Sequence, residues 1–292
     1  MRRQRRRRSP PAAPRDLDAQ LRRALAEDRV THDRTSAAVV PPGARVSAEV
    51  VAQATGVLSG MVVAQHLAQL RGVHCDVRMR DGSRLHPGSV VARLTGDAHA
   101  ILGVERTLLN YLMHLSGVAT QTRRAVAAAA GAFTILGTRK TTPGLRDLEK
   151  AAIVHGGGSP HRRDLDDQLL VKNNHLALVP LRDAVSRARA RARGRVVEVE
   201  VRSLAQARTA IREGATSLLL DNRTPRQARA LLLALAQDGL RRRVDVELSG
   251  GITVATIPRY RSSGADAVSL GSLTHSAPAV PFHLVVRRLP SR

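Results

Sequence analysis

Residues 196–222 read VVEVEVRSLAQARTAIREGATSLLLDN, and the fold is decided there. Two short apolar runs, VVEVEV (196–201) and SLLLDN (217–222), flank Leu204–Glu213, whose apolar residues recur at helical spacing. Strand, helix, strand in that order is one unit of a parallel sheet, because parallel neighbours need a crossover long enough to hold a helix. Working outward, runs of the same kind are FTILGTRK (133–140), QLLVKNNH (168–175), VDVELSGG (244–251) and AVSLGSLTH (267–275). Helical patterns recur at Pro225–Asp238 and Thr256–Ser263. The spacing is that of a βα repeat, and near-continuous apolar runs are the mark of strands buried on both faces. No Gly-rich dinucleotide fingerprint follows any run, so six such units predict a TIM-like α/β barrel rather than an open dinucleotide-binding sheet.

The chain before residue 130 has a different texture. Leu17, Leu21 and Leu25 predict an amphipathic helix. Residues 45–95 alternate, with Asp81-Gly82 and Pro87-Gly88 supplying turns between short strands, and Gly56–Leu70 reads as strand or loop followed by a helix. Ala98–Ala130 is helix-friendly, with an interruption expected at Ser116-Gly117.

Composition excludes several classes. Tyr111, Tyr260, Phe133 and Phe282 are the only aromatics, so base-stacking platforms for nucleic acid are nearly absent and the core must be aliphatic. The lone Cys75 excludes an internal disulfide framework and a Cys-based zinc site. No apolar run approaches the length of a membrane span. The 47 Lys+Arg against 24 Asp+Glu give +23, but seven arginines fall in the first fifteen residues, leaving 23 − 7 = +16 along the rest. That basic start has no apolar segment after it, so 1–15 is expected to be a disordered Arg-rich tail rather than a secretion signal. Arg187, Arg189, Arg191 and Arg193 read as a solvated helix face.

Only three of the basic residues are lysines (Lys140, Lys150, Lys172), and only four asparagines occur (Asn110, Asn173, Asn174, Asn222). Where Arg has filled most basic positions, a retained Lys points to chemistry that a planar guanidinium cannot imitate.

Barrel enzymes carry their reacting groups at strand C-termini. Here those positions hold Arg139, Lys140, Lys172, Glu200, Asp221 and Glu247. The loops Ser249-Gly250-Gly251-Ile252-Thr253 and Gly271-Ser272-Leu273-Thr274-His275-Ser276 let backbone N–H groups approach an anion and add hydroxyl donors, as in the usual barrel phosphate site. The same glycines would also serve tight turns. Glu200 and Asp221 suit Mg²⁺ held through substrate oxygens; they would equally suit hydrogen bonds to ribose hydroxyls, or pairing with neighbouring arginines. Arg139 and Arg162 offer forks for carboxylates, whereas Lys140 and Lys172 offer point charges for phosphates. No Ser-His-Asp or Cys-His nucleophile and no glycosidase-type acid pair is present. The site therefore asks for one substrate with carboxylates and another with several phosphates, joined by positioning and charge neutralisation.

In order, ERTLLNYLMHLSGVAT (105–120), TRKTTPG (138–144), GGG with HR (156–158, 161–162), LVKNNH (170–175), EVEV (198–201), LLDN (219–222), SGGIT (249–253) and GSLTHS (271–276) resemble the carboxylating nicotinate-nucleotide pyrophosphorylases, or quinolinate phosphoribosyltransferases. The resemblance spans about 17 to 285. It implies an N-terminal α/β sandwich domain (16–116, completed by 277–292) plus an open or incomplete TIM-like α/β barrel (117–276). It also implies a cytoplasmic homodimer with shared active sites. Arg106 would reach quinolinate in the neighbouring subunit, and Arg139, Lys140, His161 and Arg162 would hold it in their own. Lys172, Glu200 and Asp221 would face phosphoribosyl pyrophosphate and Mg²⁺, with Lys140, Lys172, Glu200 and Asp221 as the catalytic residues. Ser249, Gly250, Gly251, Gly271, Ser272, Leu273 and His275 would take its 5-phosphate end. The implied reaction gives nicotinate mononucleotide, pyrophosphate and CO₂. The chain departs from the family pattern at Pro160, Asp164, Asn173 and His32.

Two other functions remain open on the residues. One is a paralogous phosphoribosyltransferase for another heteroaromatic carboxylate, of secondary-metabolism or molybdenum-transport-associated type. The other is an Arg-rich nucleic-acid-binding protein on a degenerate scaffold.

Overall fold

The computed structural model describes residues 16–288, so the expected tail at 1–15 lies outside the described residues. The first elements are α1 (Leu17–Glu27), α2 (Arg34–Val39), β1 (Arg45–Ala52), β2 (Gly56–Val57), α3 (Met61–Leu70), β3 (His74–Val77), β4 (Arg84–Leu85), β5 (Val90–Asp97) and α4 (Ala98–Ala129). Next come β6 (Thr134–Leu136), α5 (Arg146–His155), β7 (Leu169–Val171), α6 (Asn173–Leu176), α7 (Leu181–Arg191), β8 (Val197–Val201) and α8 (Leu204–Arg212). The remainder is β9 (Ser217–Asp221), α9 (Pro225–Gln237), β10 (Asp245–Ser249), β11 (Ala267–Ser269), α10 (Ser272–His275) and β12 (Phe282–Arg288). By packing, the described residues form two units, one of 16–123, 142–157 and 276–288 and the other of 124–141 and 158–275.

The first unit is built on an antiparallel sheet in the order β12-β1-β5-β3. Its core is aliphatic, with Leu21, Leu67, Leu94, Ile101, Leu108 and Leu112 essentially without exposure. Residues 142–157 were expected within the barrel but pack here, because Leu148, Ala152 and Ile153 of α5 belong to this core.

The expected interruption of the long helix does not occur. α4 runs unbroken through Ser116-Gly117. Gly117 answers to packing instead: a Cβ there would lie 2.4 Å from the Pro278 carbonyl oxygen. Ser116 Oγ accepts the Ser59 N–H at 3.1 Å and donates to the Ser59 carbonyl at 3.2 Å, so its hydroxyl is used without disturbing the helix.

The second unit holds six parallel strands in the order β6-β11-β10-β9-β8-β7. β6 and β7 are its edges, so the barrel is incomplete. All six predicted runs form strands. The Thr256–Ser263 pattern closes as a 3-10 helix, Ile257–Ser263, with a proline in its first turn and Gly264 at φ 84° after it.

The strands do not carry apolar residues on both faces. Pairing sets Glu198 beside Ser217, Glu200 and Glu247 beside Leu219, and Ser249 beside Asp221. These residues share one face, since side chains alternate along a strand. Val197, Val199, Val201, Leu218, Leu220, Val246 and Leu248 form the other and pack with Ala207, Ile211, Ala228 and Leu232 of α8 and α9. The polar face is nevertheless buried, with Glu198 0%, Glu247 1% and Glu200 9% exposed.

Candidate active site

At the end of β9, Asn222 takes the left-handed conformation at φ 53°, which an asparagine tolerates better than most residues. Its N–H donates to the Ser249 carbonyl at 2.9 Å, and its side-chain amide donates to Asp221 Oδ2 at 2.8 Å. Gly250 (φ 82°) faces this pair: a Cβ there would lie 2.6 Å from Asp221 Oδ1 and 2.5 Å from Asn222 Oδ1. Ser269 Oγ donates to Ser249 Oγ at 3.0 Å, tying the ends of β10 and β11 together.

The loop after β11 is fastened to the one after β6. Thr274 Oγ1 donates to the Lys140 carbonyl at 2.7 Å. The Lys140 stem crosses Gly271 so closely that a Cβ would fall 2.8 Å from its Cδ, with His275 Nε2 at 3.0 Å. Leu273 is fully buried in the barrel core, so what it can offer a ligand is its backbone. Lys140 and Ser272 reach solvent, fully and partly.

Lys172 follows β7 and is exposed. Its N–H donates to His175 Nδ1 at 2.9 Å, which closes the turn into α6. Asn173, a departure from the family pattern, hydrogen-bonds Glu200. Its side-chain amide donates to Glu200 Oε1, and its backbone N–H approaches Oε2 at 3.4 Å. A carboxylate at 173 would face Glu200 with like charge.

Deeper on the polar face, His161 and Arg162 meet the strand carboxylates. His161 stands at φ 57°, a left-handed conformation costing of order 1 kcal/mol for a residue with a Cβ. Its Nδ1 accepts the Arg162 N–H at 2.6 Å, while Nε2 lies 3.2 Å from Glu247 Oε2 and 3.6 Å from Glu198 Oε2. The direct quinolinate contact expected of His161 therefore meets a ring whose two nitrogens already have partners within the protein. Glu198 also accepts from Ser217 Oγ at 3.0 Å and from the Gln168 amide at 3.3 Å. Arg162 is buried and reaches the Gln168 carbonyl at 3.5 Å. Burial, then the charge of Arg139, holds its guanidinium below the usual value, against Glu198, Asp167 and Glu247 acting the other way. Arg139 Nε is buried and has no hydrogen-bond partner among the described residues.

Thus Arg139, Lys140, His161, Arg162, Lys172, Glu200, Asp221, Ser249, Gly250, Gly251, Gly271, Ser272, Leu273 and His275 fall within one unit, on its strand ends and loops. Arg106 does not. It is exposed on the part of α4 belonging to the other unit, where Lys150 is also buried, on α5. Among the other departures, Pro160 is buried, His32 is exposed, and Asp164 Oδ1 accepts the N–H groups of Asp166 and Asp167 at 3.0 and 3.1 Å. Glu198, Gln168 and Ser217 were not singled out from the sequence. The alternation in VEVEV carried the signal for Glu198, since a strand wholly inside an apolar core would not place a carboxylate at every second position.

A parallel α/β barrel with cations and carboxylates at its strand ends, beside two glycine loops, belongs to the class of barrel enzymes that act on phosphorylated substrates. Comparison with known proteins narrows the class. The family described as quinolinate phosphoribosyl transferase matches through its N-terminal domain at residues 33–116 and its C-terminal domain at 118–285. A probable carboxylating nicotinate-nucleotide pyrophosphorylase of Methanothermobacter thermautotrophicus is 42% identical over 275 residues, covering 92% of this chain and 98% of that protein. The Mycobacterium leprae carboxylating nicotinate-nucleotide pyrophosphorylase is 38% identical over 264 residues, covering 88% of this chain and 92% of that one. The crystal structure of NadC from Streptococcus pyogenes superposes with a TM-score of 0.89 at 36% identity, covering 97% of this chain and 100% of that one. The chain belongs to the quinolinate phosphoribosyl transferase family.

Proposed function

We propose that the protein transfers the phosphoribosyl group of phosphoribosyl pyrophosphate to quinolinate and releases CO₂, giving nicotinate mononucleotide and pyrophosphate for NAD biosynthesis. One observation carries this reading beyond family membership: two arginines, Arg139 with a buried unpartnered donor and Arg162 itself buried, stand on the polar face with lysines nearby at its rim. Two forks match a compact diacid, and the ammonium groups match a pyrophosphate.

In this reading Arg139, Lys140 and Arg162 grip quinolinate, with His161 against Arg162. Holding the ring in one orientation removes much of the entropic barrier to attack by its nitrogen on ribose C1. Lys140 and Lys172 neutralise charge building on the departing pyrophosphate as C1 becomes oxocarbenium-like. The N-ribosylated ring is then a pyridinium, whose positive nitrogen stabilises the in-plane electron pair left on C2 when the adjacent carboxylate departs as CO₂, and a proton from water then completes that carbon. Ser249, Gly250, Gly251, Gly271, Ser272, the Leu273 backbone and His275 receive the 5-phosphate.

The residues present fit Mg²⁺. Glu200 and Asp221 are hard oxygen donors, and Asp221 Oδ1 borders a cradle that a Cβ at Gly250 would fill. We infer that these two carboxylates hold the ion largely through water or substrate oxygens; when bound, it neutralises charge on the phosphates. Arg106, exposed on α4, is assigned to the site of a second copy in a homodimer. No helix among the described residues is long and apolar enough to cross a membrane, and we assign the enzyme to the cytoplasm.

The test gives purified protein quinolinate labelled in its 2-carboxylate, phosphoribosyl pyrophosphate and Mg²⁺. Expected are equal yields of mononucleotide, pyrophosphate and labelled CO₂, loss of turnover with chelator, and at least about 100-fold lower kcat/KM with nicotinate, which leaves a buried cation unpaired. Pyrophosphate release with another heteroaromatic carboxylate but not with quinolinate would assign the site to a paralogous reaction.

A further inference from the structure

Glu247 was singled out at a strand end, yet neither substrate nor metal claims it. It lies at the middle of β10, 1% exposed, and its Oε2 stands 3.2 Å from His161 Nε2. The other ring nitrogen accepts the Arg162 N–H at 2.6 Å. An imidazole whose Nδ1 accepts carries its proton on Nε2, and that positive edge faces Glu247 Oε2 at 3.2 Å and Glu198 Oε2 at 3.6 Å as an electrostatic contact rather than an aligned hydrogen bond. The three residues thus form a relay from the sheet to the arginine: the carboxylate fixes the ring, and the ring fixes the backbone from which the Arg162 side chain starts.

The relay has a task. His161 is held at φ 57°, a left-handed conformation uncommon for a residue with a Cβ. Glu198 is already engaged by Ser217 at 3.0 Å and Gln168 at 3.3 Å and lies farther from the ring, at 3.6 Å. Glu247 is therefore the closer carboxylate anchor for the ring. His161, Glu198 and Glu247 present atoms within 4.8 Å of one another, close enough for a metal ion. Arg162 and Arg139 already bring positive charge to this cluster, and Arg162 acts on both carboxylates.

We propose that Glu247 is a positioning residue for the acceptor side of the reaction, acting through His161 to aim the Arg162 guanidinium at a carboxylate of the heteroaromatic diacid. This rests on the functional reading above. It gives Glu247 no contact with phosphoribosyl pyrophosphate.

The test is a double-mutant cycle on the full-length enzyme with E247A, E247Q, H161A and H161A/E247A. E247A is expected to raise KM for quinolinate about 10-fold or more while KM for phosphoribosyl pyrophosphate stays within about twofold. E247Q, which keeps an oxygen acceptor, should recover to within about threefold of wild type. H161A/E247A should lose clearly less than the product of the two single-variant losses, because the part of the glutamate's effect that passes through the ring is already gone in H161A. Multiplying single-variant losses in the double variant, or equal rises in both KM values, would overturn the relay. Since E247A could fail to fold, the wild-type ring is read independently by ¹⁵N NMR. The proton must sit on Nε2, with Nδ1 as acceptor, and E247Q must perturb the Nε2 signal; a proton on Nδ1 removes the relay. Absence of quinolinate turnover by wild type would defeat the functional reading instead, and the NMR result would still decide whether Glu247 holds the ring.

Discussion

Gly250 is constrained twice. Its φ of 82° lies where an L side chain is strained, and a methyl there would press within 2.6 Å of Asp221 Oδ1 and 2.5 Å of Asn222 Oδ1. The backbone cost of alanine is about 1 kcal/mol. The larger effect is on the Asp221 carboxylate, which must turn away from the place assigned to Mg²⁺ and the ribose phosphate. Gly250→Ala is therefore expected to lower kcat/KM for phosphoribosyl pyrophosphate by at least about 100-fold, the scale of losing an aligned charge contact, while KM for quinolinate changes little. Steady-state kinetics with each substrate varied in turn checks this, and an equal loss on both axes would mean the loop collapses as a whole. Part of the placement at this scale was legible. Lysines and asparagines retained in an Arg-rich chain marked Lys140, Lys172, Asn173 and Asn222, which stand at strand ends and loops of the barrel unit, and SGG marked the loop, but the same signal marked Lys150 and Asn110, which lie in the other unit. The partners of His161 were not legible, because Glu198 and Glu247 reach it from β8 and β10, and register between nonadjacent strands leaves no trace in local spacing.

Among the elements, α4 shows where local rules lose to packing. Gly in a helix interior costs about 1 kcal/mol relative to Ala, which made Ser116-Gly117 read as a break. The helix continues because the glycine admits the Pro278 carbonyl, which a Cβ would meet at 2.4 Å. Gly117→Ala thus sets a gain of about 1 kcal/mol in helix propensity against an overpacking cost of about 1–3 kcal/mol. The expected outcome is net destabilisation, read as a lower Tm and a lower urea midpoint with unchanged slope; a rise in Tm would show that the segment at 278 yields freely. The six strands were legible because each is a short apolar run with a polar end. The α5 segment was placed with the barrel because nothing between 142 and 157 signals a change of core. Only Leu148, Ala152 and Ile153 packing with the antiparallel-sheet unit reveals it.

For the whole molecule, net charge decides less than its placement. Of the +23, seven charges precede Asp16, outside the family match, which begins at residue 33. The cations assigned to substrate are four in the barrel unit (Arg139, Lys140, Arg162, Lys172) and Arg106 in the other. Arg106 is exposed on a helix, where an arginine by itself contributes little, so its assignment to a second copy makes a prediction about assembly. Arg106→Ala and Lys172→Ala should each lose at least about 100-fold in kcat/KM if each removes a charge partner from a desolvated substrate. In a symmetric dimer with shared sites, however, the two losses fall in different places. A mixed dimer has one site lacking both groups and one lacking neither. Random reassociation makes half the dimers mixed, so combining the two inactive proteins should restore about a quarter of wild-type activity. The measurement is activity after mixing, dissociating in mild denaturant and reassociating, against each variant treated alone. Activity that stays at the sum of the separate variants would place Arg106 in the service of its own chain, or in no site, and the shared-site dimer would have to be given up.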